Sequence, residues 1–176
     1  MRYKEFGNTG LRVPEMALGT WGIGGAGWDT CTDEARLDAI HAAIECGVNL
    51  IDTAPAYNAG AAERYVGKVL KDMGIREKMY IATKCGTDFI DGTYVRDCSA
   101  AAIIRECKES LRNLQTGYID LYLVHWLDTK VPVEETMGAQ TRRKIEGNAA
   151  GFSWELTEAE LAHLDAVIER YLGEAQ

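Results

Sequence analysis

Residues 49–57 read Asn-Leu-Ile-Asp-Thr-Ala-Pro-Ala-Tyr, an apolar run that stops on a carboxylate, turns at a proline and reaches a tyrosine. The same kind of segment recurs twice. Residues 79–84, MYIATK, stay apolar until they close on a lysine, and residues 118–125, YIDLYLVH, close on a histidine. Such runs predict strands of a parallel sheet, and parallel α/β sheets and β/α barrels carry their chemistry at the carboxyl ends of their strands. Asp52, Tyr57, Lys84 and His125 therefore stand together as an acid, a phenol, an amine and an imidazole at one rim. That combination makes an acid–base site rather than a packed core.

Working outward, the chain alternates strand and helix. Tyr3–Phe6 and Leu11–Val13 predict a hairpin around Gly7-Asn8-Thr9-Gly10, stopped by Pro14. Met16–Thr20 predicts the first parallel strand and Val48–Ala54 the second; Met79–Lys84 and Tyr118–His125 are the third and fourth. Thr32 is the expected N-cap of the first helix, with Asp33 and Glu34 in the turn where negative charge suits the dipole. Leu37, Ile40, Ala43 and Ile44 form that helix's apolar stripe, and Gly47 ends it. Val66, Val69, Leu70 and Met73 stripe the second helix, closed by Gly74. Ser99 is expected to cap a third, with Ile104, Cys107, Leu111 and Leu114 facing inward. Four βα steps with short joints imply right-handed crossovers and one parallel sheet.

After Pro132 the pattern changes. The chain reads as helical to about Asn148, with few apolar residues and a basic run at Arg142-Arg143-Lys144. A last helix starts at the capping box Thr157-Glu158-Ala159-Glu160 and presents Leu161, Leu164, Ile168 and Leu172. No fifth strand follows. A closed eight-stranded barrel takes about 250 residues, so these 176 residues hold about half of one. Gly22–Gly27 matches G-x-G-x-x-G, but Trp28–Cys31 separate it from the next helix. It reads as a flexible active-site loop rather than a Rossmann fingerprint.

Composition narrows the class. The net charge is −8 and the apolar fraction 47%, which sets nucleic acid and anionic membrane surfaces aside as partners. The five cysteines show no C-x-x-C and no metal-ligand spacing, so no metal site is expected, and an odd, scattered set reads as reduced cytoplasmic thiols. No apolar run approaches the length of a membrane span.

The four rim residues suit one chemistry. A phenol, with its ordinary pKa of about 10, is a poor proton donor at neutral pH, and an adjacent ammonium favours its phenolate form. A carboxylate keeps such an ammonium charged and in place. An imidazole across the site can hydrogen-bond a carbonyl oxygen. Tyr57 as proton donor, Lys84 as its tuner, Asp52 as the lysine's partner and His125 as polariser form a site for reducing C=O. The hydride must come from a cofactor.

Residues 2–137 resemble the first half of an aldo-keto reductase. FGNTGLRVPEMALGTW, GVNLIDTAPAYNAGAAERYVGKVL, YIATK and TGYIDLYLVHW occur in that family's order and spacing. The resemblance implies a (β/α)8 barrel reducing aldehydes and ketones to alcohols with NADPH, its catalytic tetrad falling on Asp52, Tyr57, Lys84 and His125. It further implies cofactor contacts from Gly19, Thr20, Trp21 and Asp52. The tail, GAQTRRKIEGNAAGFSWELTEAELAHLD, is similar to the helix after the eighth strand and the C-terminal helix. There Gln140, Lys144 and Asn148 would meet the adenosine 2′-phosphate and adenine. The family's fifth to eighth strands have no counterpart, and an internal deletion joining at Gly138-Ala139 is the simplest account. Asn58 stands where the family commonly has glycine, and Gln140 where it commonly has a cation.

The expectation is thus a single truncated domain, residues 1–176, with a first half-barrel at 1–137 and C-terminal helices at 138–176. It would act in the cytoplasm on a small carbonyl substrate. The alternative is a non-catalytic truncated or engineered half-barrel unable to hold NADPH. Four parallel strands that do not close leave two sheet edges, and self-association through them is expected.

Overall fold

The computed structural model describes residues 1–25 and 31–136. Gln140, Lys144, Asn148, the capping box at Thr157 and both tail helices beyond residue 136 lie outside the described residues, as does the end of the Gly22–Gly27 segment.

A parallel sheet forms the centre. Leu18–Gly19 (β3), Leu50–Asp52 (β4), Tyr80–Cys85 (β5) and Leu121–Val124 (β8) pair in the order β3-β4-β5-β8. In register, Gly19 lies beside Asp52, Asp52 beside Ala82 and Lys84 beside Leu123. Hydrogen bonding runs one step past the short strands: Thr20 N donates to Asp52 O at 3.0 Å and Thr53 N to Ala82 O at 2.8 Å. Among the described residues β3 and β8 are the edges of this sheet. The expected N-terminal hairpin is present as Tyr3–Glu5 (β1) against Arg12–Pro14 (β2), with Pro14 pairing Tyr3 as the last residue of its strand.

Helices cover one face. Asp33–Glu45 (α2) starts at Thr32, whose hydroxyl accepts from Ala35 N at 3.3 Å. Ala61–Met73 (α3) ends at Gly74, and Ala100–Asn113 (α4) begins at Ser99, which accepts from Ala102 N at 3.3 Å. Ile40 of α2, Val66, Val69 and Leu70 of α3, Ile51 of β4 and Ile81 of β5 pack with Met79 and Leu114 as the core. Because side chains alternate along a strand, Ile81 and Thr83 face these helices while Lys84 turns to the opposite face, with Asp52. Complete burial of Ile51 and Ile81 stabilises the fold by about 1.5–3 kcal/mol for each.

Three expectations need correction. Of the expected α4 stripe, Leu114 is buried in the core and Cys107 and Leu111 are half-buried, but Ile104 is 55% exposed, and the buried residues within the helix are Ala102, Glu106 and Ser110. Glu106 is drawn in because it accepts Gly86 N–H at 2.7 Å, a stronger constraint on the helix's rotation than its apolar stripe. Trp21–Gly24 forms a short helix (α1) where a flexible loop was expected. Finally, an antiparallel hairpin, Thr87–Ile90 (β6) with Thr93–Arg96 (β7), follows β5. Its turn residues Asp91 and Gly92 have φ of 49° and 77°, both left-handed, as a two-residue hairpin turn of type I′ requires.

The described cysteines Cys31, Cys46, Cys85, Cys98 and Cys107 are free thiols. No helix among the described residues is long and apolar enough to cross a membrane.

Helix α3 runs close to the C-terminal end of α4 at Gly67, where a Cβ would stand 2.5 Å from Asn113 O and 2.6 Å from Leu114 C. Both are backbone atoms and cannot swing away. Alanine is favoured over glycine in a helix by about 1 kcal/mol, yet Gly67→Ala should destabilise the fold by about 1–3 kcal/mol. Urea unfolding checks the sign, and a stabilised variant would show that the two helices can separate freely.

Candidate active site

Each candidate residue is placed by a different part of the sheet's carboxyl rim. Asp52 is the last residue of β4, and Lys84 is the penultimate residue of β5. His125 follows β8 directly, held by its backbone N–H to Cys85 O at 2.8 Å. Tyr57 lies in the turn after β4, whose next residues Asn58, Ala59 and Gly60 are all left-handed, with φ of 53°, 48° and 74°. Asparagine is among the few non-glycine residues that tolerate this region. Asn58 also donates to Gly24 O at 2.7 Å, tying the tyrosine turn to α1.

Lys84 gathers the site. Its ammonium donates to both oxygens of Asp52 at 2.8 Å, to Thr53 O at 2.9 Å and to Tyr57 Oη at 3.1 Å. The lysine side chain is only 14% exposed, the Asp52 side chain 40%. An ammonium has donors and no acceptor. Tyr57 Oη must therefore accept from it, which leaves the tyrosine's own proton to be given elsewhere. The His125 ring stands edge-on to Tyr57, with centroids 5.7 Å apart and planes at 81°. Burial, and then the charge of Lys84, push the His125 pKa below the usual histidine value, with Asp52 opposing them. Both effects favour the neutral imidazole, and its buried Nδ1 has no hydrogen-bond partner among the described residues.

Tyr57 and His125 border a cavity of about 400 Å³, also lined by Trp21, Trp126, Thr87, Tyr94 and Arg96. Thr87, Tyr94 and Arg96 come from the unexpected hairpin. The dipeptide Asp91-Gly92 between DFI and TYV was the signal that could have revealed it. Of the expected cofactor contacts, Gly19 is exposed with nothing within 4 Å of where a Cβ would stand, and Trp21 is 51% exposed. Thr20 differs. It is fully buried, and its hydroxyl donates to Asp52 O at 3.0 Å, so it braces the aspartate's strand end.

Comparison with known proteins identifies the family and agrees with the fold. The family model described as "Aldo/keto reductase family" matches residues 15–169. The chain belongs to the aldo/keto reductase family. It is 43% identical over 136 residues to aldo-keto reductase YhdN of Bacillus subtilis, covering 77% of this chain and 41% of that protein. It is 36% identical over 162 residues to an NADH-specific methylglyoxal reductase of Escherichia coli, covering 84% and 49%. Among solved structures, an aldo-keto reductase from Bacillus halodurans in its holo form superposes with a TM-score of 0.69 at 36% identity, over 84% of this chain and 47% of that one. The chain thus spans about half the length of the relatives it matches. The four-stranded parallel sheet with its helices is a partial α/β barrel of the aldo/keto reductase type.

The electrostatics can be checked directly. The His125 imidazole, followed by NMR, should titrate with a midpoint below about 6.5. Lys84→Met should raise that midpoint, because it removes a depressing charge and frees the carboxylate that opposes it. An unmoved midpoint would mean that Lys84 and His125 do not share one site.

Proposed function

We propose that this aldo/keto reductase chain reduces aldehyde or ketone carbonyls to alcohols with NADPH, using Asp52, Tyr57, Lys84 and His125. The observation that carries the proposal is the Lys84 ammonium, which touches the Asp52 carboxylate and the Tyr57 hydroxyl at once.

The residues on the rim suit a nicotinamide nucleotide: open backbone at Gly19, the exposed indole of Trp21 and the part-exposed carboxylate of Asp52. Gln140, Lys144 and Asn148 would hold its adenosine end by resemblance, Lys144 supplying the positive charge that a 2′-phosphate calls for. When bound, the reduced nicotinamide supplies the hydride. The protein's own share is the proton and the geometry. Tyr57 gives its proton to the carbonyl oxygen as the carbon is reduced. Lys84 stabilises the phenolate left behind, and Asp52 keeps Lys84 charged and in place. Neutral His125 can donate an N–H to the same oxygen, orienting the carbonyl and drawing negative charge toward it.

The family match extends through residue 169, and it supports a reductase over an inert remnant. The relative named NADH-specific makes the choice of nucleotide a matter for direct comparison. Aldehyde-dependent loss of nicotinamide absorbance should be faster with NADPH than with NADH. Tyr57→Phe should cut the rate by about 10²- to 10⁴-fold, the share of a positioned general acid, with nucleotide binding nearly unchanged. An unaffected rate removes the proton-donor role. A faster rate with NADH reassigns the cofactor.

A further inference from the structure

One charged group in the cavity has no part in proton transfer. Arg96 ends β7, and β7 pairs with β6 so that Arg96 lies opposite Thr87, three residues beyond Lys84. The hairpin holds it there. Four residue pairs and the Asp91-Gly92 turn fix the register, Phe89 packs on Tyr94 with ring centroids 4.9 Å apart, and Asp97 N donates to Gly86 O at 3.3 Å. The guanidinium lies 4.6 Å from the centroid of the Trp126 ring. A guanidinium held over an indole by a cation–π contact still has N–H donors with which to grip a carboxylate through two hydrogen bonds. Among the described residues no carboxylate pairs with Arg96. The cavity's other neighbouring cation, Lys84, is already neutralised by Asp52.

We propose that Arg96 is a specificity residue and that this site prefers carbonyl substrates bearing a carboxylate on the same small molecule. The carboxylate binds the Arg96 edge while the carbonyl lies toward Tyr57 and His125. This rests on the carbonyl-reductase reading for the placement of the reacting end, and on the cavity alone for the anionic end. Arg96 is exposed at the cavity mouth, and the aromatic surfaces of Trp126 and Tyr94 beside it suit a flat linker between the two groups.

The test is a binding measurement on the full chain, so it does not depend on turnover. Ligand-observed NMR compares 4-carboxybenzaldehyde with benzaldehyde, with and without reduced nucleotide. The carboxylate should bind about tenfold more tightly or better, as one charge-assisted pair allows. Arg96→Gln should bring the affinity for 4-carboxybenzaldehyde down to that for benzaldehyde, and Arg96→Lys should retain part of the difference. Far-UV circular dichroism confirms that the variants fold. Equal affinity for the two probes, no binding of either at millimolar concentration, or a preference that survives Arg96→Gln would each overturn the proposal. A carboxylate preference in a chain with no turnover supports the role of Arg96 and sinks only the reductase reading. Turnover without the preference does the reverse.

Discussion

A lysine near the end of a mostly buried strand must be given acceptors, and that requirement at Lys84 organises the carboxyl rim. The ammonium finds them on the neighbouring strand end at Asp52, on the next carbonyl at Thr53 and on the turn at Tyr57. The requirement also fixes register. A slip of one residue would carry Lys84 into the helix-facing layer with Ile81 and leave Asp52 without its partner. Sheet pairing and active-site assembly are thus one constraint.

The strand that carries Lys84 is gripped from behind on both sides. Glu63 of α3 accepts from Thr83 Oγ1 at 2.7 Å and from Asn113 Nδ2 at 3.0 Å, while Glu106 of α4 accepts from Gly86 N at 2.7 Å. Both carboxyls are almost wholly inaccessible, and burial raises the pKa of each above the usual range. Two helices therefore anchor β5 through polar contacts at positions 83 and 86, bracketing position 84. Their close approach at Gly67 keeps those anchors together. Rigidity of this sort lets a lysine act as a positioned charge instead of a flexible one.

Much of this was legible in the sequence. Apolar runs that end in Asp52, Lys84 and His125 betrayed both the parallel strands and the rim, because three successive buried strands rarely close on ionisable groups through packing alone. The caps at Thr32 and Ser99 were readable because they are local chemistry. The orientation of α4 was not. Its buried face is set by Glu106 reaching a backbone N–H across the fold, a long-range bond that periodicity does not register. The bond from the Thr20 hydroxyl to Asp52 O is likewise a contact between strands that only the folded chain shows. The β6–β7 hairpin carried its Asp-Gly signal openly, but it falls between elements already accounted for by the repeating βα pattern. With it went three residues of the cavity wall, Thr87, Tyr94 and Arg96.

The central claim is that Lys84 and Tyr57 act as one proton-delivering unit, and a double-mutant cycle on carbonyl reduction measures it most directly. The rates of the unaltered chain, Lys84→Met, Tyr57→Phe and the double variant are compared with the same aldehyde and nucleotide. If the lysine acts through the tyrosine, Lys84→Met slows the unaltered chain strongly and costs almost nothing further in the Tyr57→Phe background. Losses that simply multiply, or an unaltered chain with no rate at all, would contradict it.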